Sequence, residues 1–172
     1  MTHIPENSSL RSAAQPNAIT LIDHAFSSTQ TLALNNKVIL NNSNNWFGNF
    51  NPTISSDVIT LPSGYYYYVE STIQAYRTSG WNGSEWTSIQ HYDESSSSYI
   101  GTIGTVVTTG SGEDSKLWSR DSVARIILDC TSSSKDVSIK IQANSGHTHV
   151  NYSLSHWVYS GGGRTTIWQL NS

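Results

Sequence analysis

"ITLPSGYYYYVES", residues 59–71, sets four tyrosines in a row directly after a Pro-Ser-Gly turn. Successive side chains of a strand point to opposite faces. If the stretch is a strand, Tyr65 and Tyr67 share one face and Tyr66 and Tyr68 the other. On the longer run to Tyr76 the first face continues through Val69, Ile73 and Ala75, is mostly apolar, and is assigned to a core. The second face carries Tyr66, Tyr68, Glu70, Thr72, Gln74 and Tyr76, aromatic yet able to hydrogen-bond. Solvent alone does not call for rings there. A subunit interface does, because Tyr offers large apolar area, few rotatable bonds and a polar tip. The alternative cover is a second layer of the same chain, such as an N-terminal arm folding back. The closing "TTIWQL" repeats the theme: Thr166, Trp168 and Leu170 alternate with Thr165, Ile167 and Gln169. Tyr66, Tyr68, Tyr76, Trp168 and Leu170 are therefore the candidate subunit interface.

The bulk numbers agree with strands. A chain of 172 residues suits one domain with a sizeable core. With six Trp, nine Tyr and many Ser, Thr, Asn and Gly, the composition disfavours long helices and favours short strands joined by polar turns. A net charge of −3 with 12% charged residues supplies no basic field for nucleic acid or an anionic membrane. No apolar run is long enough to span a bilayer as a helix. The start "MTHIPENSSLRSAAQPN" lacks the basic and apolar segments of a signal peptide. Cys130, the single cysteine, lies in phase with Ala124, Ile126 and Leu128 and reads as a buried thiol.

Residues 1–18 are polar, carry Pro5 and Pro16, and show neither helical nor strand period, so they read as an extended arm. Residues 19–172 form the folded domain. "AITLIDHAF" and "TLALNNKVIL" open it, and "NNSNNWFGNFNP" follows as a turn-rich loop bearing Trp46, Phe47 and Phe50. Later runs include "EWTSIQHYD", "YIGTIGTVVTT" and "KDVSIKIQA", the last with Val137, Ile139 and Ile141 on one face. The end, "SLSHWVYSGGGRTTIWQLNS", reads as a hairpin around residues 161–163. Turns recurring at this spacing predict an antiparallel sandwich or barrel.

"ITLPSGYYYYVESTIQAY" resembles the signature of C1q/TNF-like jelly-roll domains: an apolar strand, a Pro-Gly turn, then an aromatic pair opening a long strand. The matching positions are Ile59, Leu61, Pro62, Gly64, Tyr65, Tyr67 and Val69. Such domains also close with a short apolar strand near the chain end, as "TTIWQLNS" does. The resemblance implies a ten-strand, two-sheet antiparallel jelly roll that assembles as a compact trimer. Unlike the animal members, this chain shows no collagen stalk, membrane anchor or secretory signal. Its "LPSG" turn, polar loops and short arm are similar to those of phage virion proteins with this fold.

Catalytic patterns are thin: there is no G-x-S-x-G elbow, P-loop, H-E-x-x-H or CxxC. Asp93–Glu94 and Glu113–Asp114 read as solvated loop acids. His147 and His149 share a face in "SGHTHVNYS", but the Glu that a cupin would supply next is missing. Three copies around a three-fold axis could ring a metal; hydrogen-bonded loop histidines are the preferred reading, and no metal or cofactor is expected. Trp46, Trp81, Asn82 and Trp86 are candidate glycan contacts through stacking and amide hydrogen bonds, or else caps on the core.

The resulting expectation is a non-enzymatic phage virion protein, a trimer that decorates and cements the outer capsid surface. Its partners would be itself and the major capsid protein, with no nucleic acid or membrane. An arm of 18 residues reaches at most ~60 Å, enough to cross a neighbouring capsomer, with Ile4, Pro5 and Leu10 as capsid-attachment anchors. A receptor-binding tail or fibre module holding host surface glycans is the alternative.

Overall fold

The computed structural model describes residues 18–24, 34–47, 50, 52–73, 76–77, 83–110, 123–144, 152–153 and 163–170, all of them strand, turn or irregular backbone without helix. The strands are β1 (Ala18–His24), β2 (Leu40–Phe47), β3 (Thr53–Ser55), β4 (Val58–Leu61), β5 (Tyr66–Ile73) and β6 (Tyr76–Arg77). They continue as β7 (Gly83–Asp93), β8 (Ser98–Gly110), β9 (Val123–Asp129), β10 (Lys135–Asn144), β11 (Tyr152–Ser153) and β12 (Gly163–Leu170). Sheet A has the order β2-β1-β12-β5-β9, sheet B the order β3-β4-β10-β7-β8, and β6 pairs with β11 apart from both. Every pairing is antiparallel. The two sheets pack as a sandwich.

β4 ends in sheet B and β5 begins in sheet A, so residues 62–65 carry the chain from one layer to the other. Gly64 supplies the positive φ (+101°) that this crossing needs. Its N–H donates to the Cys130 carbonyl at 2.8 Å, and the Cys130 N–H donates to the Tyr65 carbonyl at 3.0 Å. Tyr67 then drops into the core with 0% exposure, its ring 5.0 Å from that of Phe50 and its hydroxyl donating to the Pro62 carbonyl at 3.1 Å. Tyr66 and Tyr68 point outward. Tyr65, expected in the core, is 36% exposed. It belongs to the turn, where no ladder yet imposes strand alternation, and only an edge contact at 6.4 Å joins it to Tyr67.

The period-two pattern of β10 is realised: Val137, Ile139 and Ile141 are buried, and with Ile59, Leu61 and Ile89 they meet Val69, Ile167 and Leu128 of sheet A. Each such side chain removed from water contributes about 1.5–3 kcal/mol. Cys130 is buried in phase with Ala124 and Leu128.

Three local expectations change. β5 stops at Ile73, and Tyr76 lies in β6, opposite Ser153 of β11, so it is not on the tyrosine face of sheet A. β12 does not pair into a terminal hairpin, because its two edges are taken by β1 and β5. Residues 41–47, placed in a loop on composition, belong to edge strand β2, with Trp46 opposite Thr20 of β1. An edge strand needs backbone partners on one side only, so a run of asparagines can serve.

At one side of the sandwich the edges of the two sheets are fastened together. The Arg125 N–H of β9 donates to Thr102 Oγ1 of β8 at 2.9 Å, and that hydroxyl donates to the Arg125 carbonyl at 3.3 Å. Gly101, at φ +75°, permits the approach: a Cβ there would lie 2.4 Å from the Arg125 carbonyl oxygen.

Candidate functional site

The outer face of sheet A carries a row of apolar side chains running straight across four strands. Register pairs Ile19 of β1 with Trp168 of β12, Trp168 with Tyr68 of β5, and Tyr68 with Ile127 of β9. The Tyr68 and Trp168 rings are 5.1 Å apart and tilted by 33°. Ile127 is 68% exposed, and Ile19, Tyr68 and Trp168 are half-buried on the outer side of the sheet. Tyr66 and Leu170 stand opposite each other on its two middle strands, two residues along from Tyr68 and Trp168.

Behind the row lies a balanced pair of charges. Glu70 accepts a hydrogen bond from the Tyr68 hydroxyl and another from Arg125 Nε at 3.1 Å. Burial, and then the adjacent Glu70 carboxylate, raise the Tyr68 pKa and keep its hydroxyl a donor. A surface laid over this face would meet no unpaired charge at Glu70 or Arg125.

Four of the five residues expected at an interface are thus brought together: Tyr66, Tyr68, Trp168 and Leu170. Tyr76 is not among them. Ile19 and Ile127 were missed, although Ile127 was legible, being an isoleucine out of phase with Ala124, Ile126 and Leu128 in "VARIILDC". Ile4, Pro5, Leu10, Trp81, Asn82, His147 and His149 lie outside the described residues. Trp86 is 40% exposed on β7, opposite Val107, on a strand and not in a loop.

On the outer face of sheet B, around Glu94, charged groups and tyrosines satisfy one another. Glu94 accepts from Ser138 Oγ at 2.6 Å and pairs with Lys37 Nζ at 3.3 Å and Lys140 Nζ at 3.5 Å. The Lys140 ammonium lies over the Tyr92 ring, which meets Tyr99 edge-on at 5.2 Å. Burial pushes the Glu94 pKa up, but Ser138, Lys37 and Lys140 together outweigh it and the net shift is downward. Asp93 and Glu94 are therefore not the solvated acids expected. Asp93 is buried at the end of β7 and accepts from the Ser95 and Ser96 N–H groups at 2.9 and 3.1 Å, closing the β7–β8 turn.

One polar group inside the core escaped sequence reading. His91 of β7 has 0% exposure, and its Nε2 lies 3.0 Å from Ser71 Oγ of β5, which is 2.8 Å from Thr165 Oγ1 of β12. The signal was available in the alternation: His91 is in phase with Ile89, Ser71 with Tyr67 and Val69, and Thr165 with Ile167. Among the described residues no three His, Cys, Asp or Glu side chains gather as a metal site would require.

No protein-family model matches the chain, and a search of curated proteins finds none that matches its sequence.

Proposed function

We propose that the chain is a structural, non-enzymatic virion protein of a tailed phage, built as a C1q/TNF-like jelly roll that trimerises and decorates the outer capsid surface. The observation that carries the self-association is the outward-facing Ile19–Trp168–Tyr68–Ile127 row, with Ile127 68% exposed. A sandwich has one core to fill, and these side chains are not in it. The strand order supports the jelly-roll reading: successive strands cross repeatedly between the sheets, and the last strand lies between β1 and β5. Such windings are characteristic of Greek-key sandwiches.

Area favours a trimer over a dimer. Four strands ~4.8 Å apart and eight residues long at ~3.3 Å per residue span roughly 500 Å². A standard stable interface takes about 800 Å² from each partner, so the face alone is small. A cyclic trimer, in which each subunit offers two surfaces, makes up the difference. The capsid-decoration reading rests on the resemblance and on the polar arm of residues 1–18, whose few apolar anchors are Ile4, Pro5 and Leu10. The pooled contacts of three arms would hold the trimer on a capsid by avidity.

Light scattering on the full chain tests the assembly. The expected mass is about three times the 18.9 kDa of one chain, and Ile127→Asp with Trp168→Ala should reduce it to one. A wild-type monomer at micromolar concentration would sink the trimer. Deleting residues 1–18 should leave the trimer intact and abolish binding to capsids that lack this protein. Full decoration by the truncated chain would remove the arm from the attachment, and selective glycan binding in its place would favour the receptor-binding alternative.

A further inference from the structure

His91 forms a directional link in the middle of the core, away from the β8–β9 hydrogen bonds that fasten one side of the sandwich. β7 belongs to sheet B, β5 and β12 to sheet A, and the hydrogen bonds from His91 to Ser71 and from Ser71 to Thr165 run from one to the other. All three residues are completely buried. His91 Nδ1 has no hydrogen-bond partner among the described residues. A neutral imidazole tolerates this, since one nitrogen can meet Ser71 while the other stays idle. An imidazolium carries two N–H donors and a charge, and needs partners for both.

Among the described residues the surroundings offer no counter-charge. Of the described side chains, the ionisable ones on core-facing positions of the packed elements are Tyr67 on β5, Cys130 just after β9, Asp93 on β7 itself and Lys135 on β10. Asp93 is already engaged, with the β7–β8 turn and with Lys135 Nζ at 3.8 Å. Tyr67 and Cys130 are both held in their neutral forms by burial. β4, β8 and β12 present no ionisable side chain to the core, nor do the described side chains of β1.

We propose that His91 is an acid-operated latch between the two sheets: neutral, it ties β7 to β5 and β12 through Ser71 and Thr165; protonated, it draws water into the core and lets the sheets part. The inference concerns the two layers of one chain and stands apart from the assembly proposed above. Burial lowers the His91 pKa to about 4, against ~6.5 in an unfolded chain. The unfolded state therefore binds the proton more tightly, so stability is full above pH 6.5 and falls as the pH drops from there towards 4.

Two measurements on the full chain decide it. Imidazole NMR should show a ring that stays neutral at pH 5.5 while the fold persists, and that is missing from the His91→Gln spectrum. Urea unfolding at pH 7.5 and 5.0 should show the wild-type unfolding constant rising by roughly 30-fold more than that of His91→Gln. The other five of the six histidines contribute equally to both proteins and cancel. If the variant does not fold, the wild-type titration still decides. Every imidazole of the folded protein titrating near pH 6.5, or equal acid sensitivity in wild type and His91→Gln, would overturn the latch.

Discussion

Replacing Gly101 with alanine should unfasten the side of the sandwich where β8 meets β9. The new Cβ would lie 2.4 Å from the Arg125 carbonyl oxygen and 2.8 Å from the Ile126 Cβ. The nearer atom is backbone, so no side-chain rotation relieves it. β8 and β9 must separate by about 1 Å to reach ordinary van der Waals contact. That movement strains the two hydrogen bonds between Thr102 and Arg125. Three effects act together: a positive φ costs a Cβ-bearing residue about 1–2 kcal/mol, overpacking about 1–3 kcal/mol, and weakened hydrogen bonds up to about 1 kcal/mol each. A total of about 3–5 kcal/mol is a large part of the ~5–15 kcal/mol that stabilises a typical domain. The control is Gly64→Ala. Gly64 has a similar positive φ (+101°), but no atom lies within 4 Å of a Cβ built there, so its loss should be the conformational part alone, about 1–2 kcal/mol. Urea unfolding of both variants, followed by tryptophan fluorescence, separates steric closure from backbone strain. Equal losses in the two variants would refute the closure argument.

Two further outcomes follow from buried or paired groups. The Cys130 thiol, pushed up to about 11 chiefly by burial, should react with a disulfide reagent at pH 8 only on unfolding; prompt labelling of the native chain would contradict its place in the core. Glu94, with its pKa net lowered, stabilises the fold above the ordinary carboxylate range, and that contribution is lost as the pH falls through its folded pKa. Glu94→Gln should therefore be less stable than wild type at pH 7 by about 1 kcal/mol or less, given its partial exposure, with the gap closing by pH 3; a gap that widened in acid would contradict the pairing.

Strand existence was legible because alternation is a local property: "KDVSIKIQA" states its inward face in its own residues, and β10 obeys it. Pairing partners were not, since they depend on which edges remain free. "TTIWQL" could not announce that β1 and β5 would occupy its two edges, so the terminal hairpin failed. Exposure in the turn was likewise out of reach for Tyr65, whose parity with Tyr67 holds only where a ladder enforces it. β2 was hidden because its asparagines carry a loop composition, and only its pairing with β1 makes it a strand. The outward apolar residues of β5 and β12 were legible because both strands place apolar groups on two faces, whereas His91 was not read although its phase with Ile89 sends it inward.

The outward tyrosines of the two sheets are held differently. Sheet B also places tyrosines outward, yet Tyr92 lies under the Lys140 ammonium and the Tyr99 hydroxyl is 2.8 Å from Asn35 Oδ1. These two rings are already used, whereas Trp86 of the same sheet stays 40% exposed. On sheet A, Tyr68 and Trp168 use each other, and Ile127 beside them uses nothing in the described chain. An isoleucine side chain moved out of water gains about 1.5–3 kcal/mol, so covering this face is favourable in proportion to the row's length. A lone exposed isoleucine is ordinary on a protein surface. One set in register with a tyrosine, a tryptophan and a second isoleucine across four strands makes a continuous strip, and a continuous strip rewards a partner whose own surface is flat and apolar. In a cyclic trimer a different surface of the neighbouring copy would lie on this strip, and the internally paired Glu70 and Arg125 bring no net charge to oppose that contact.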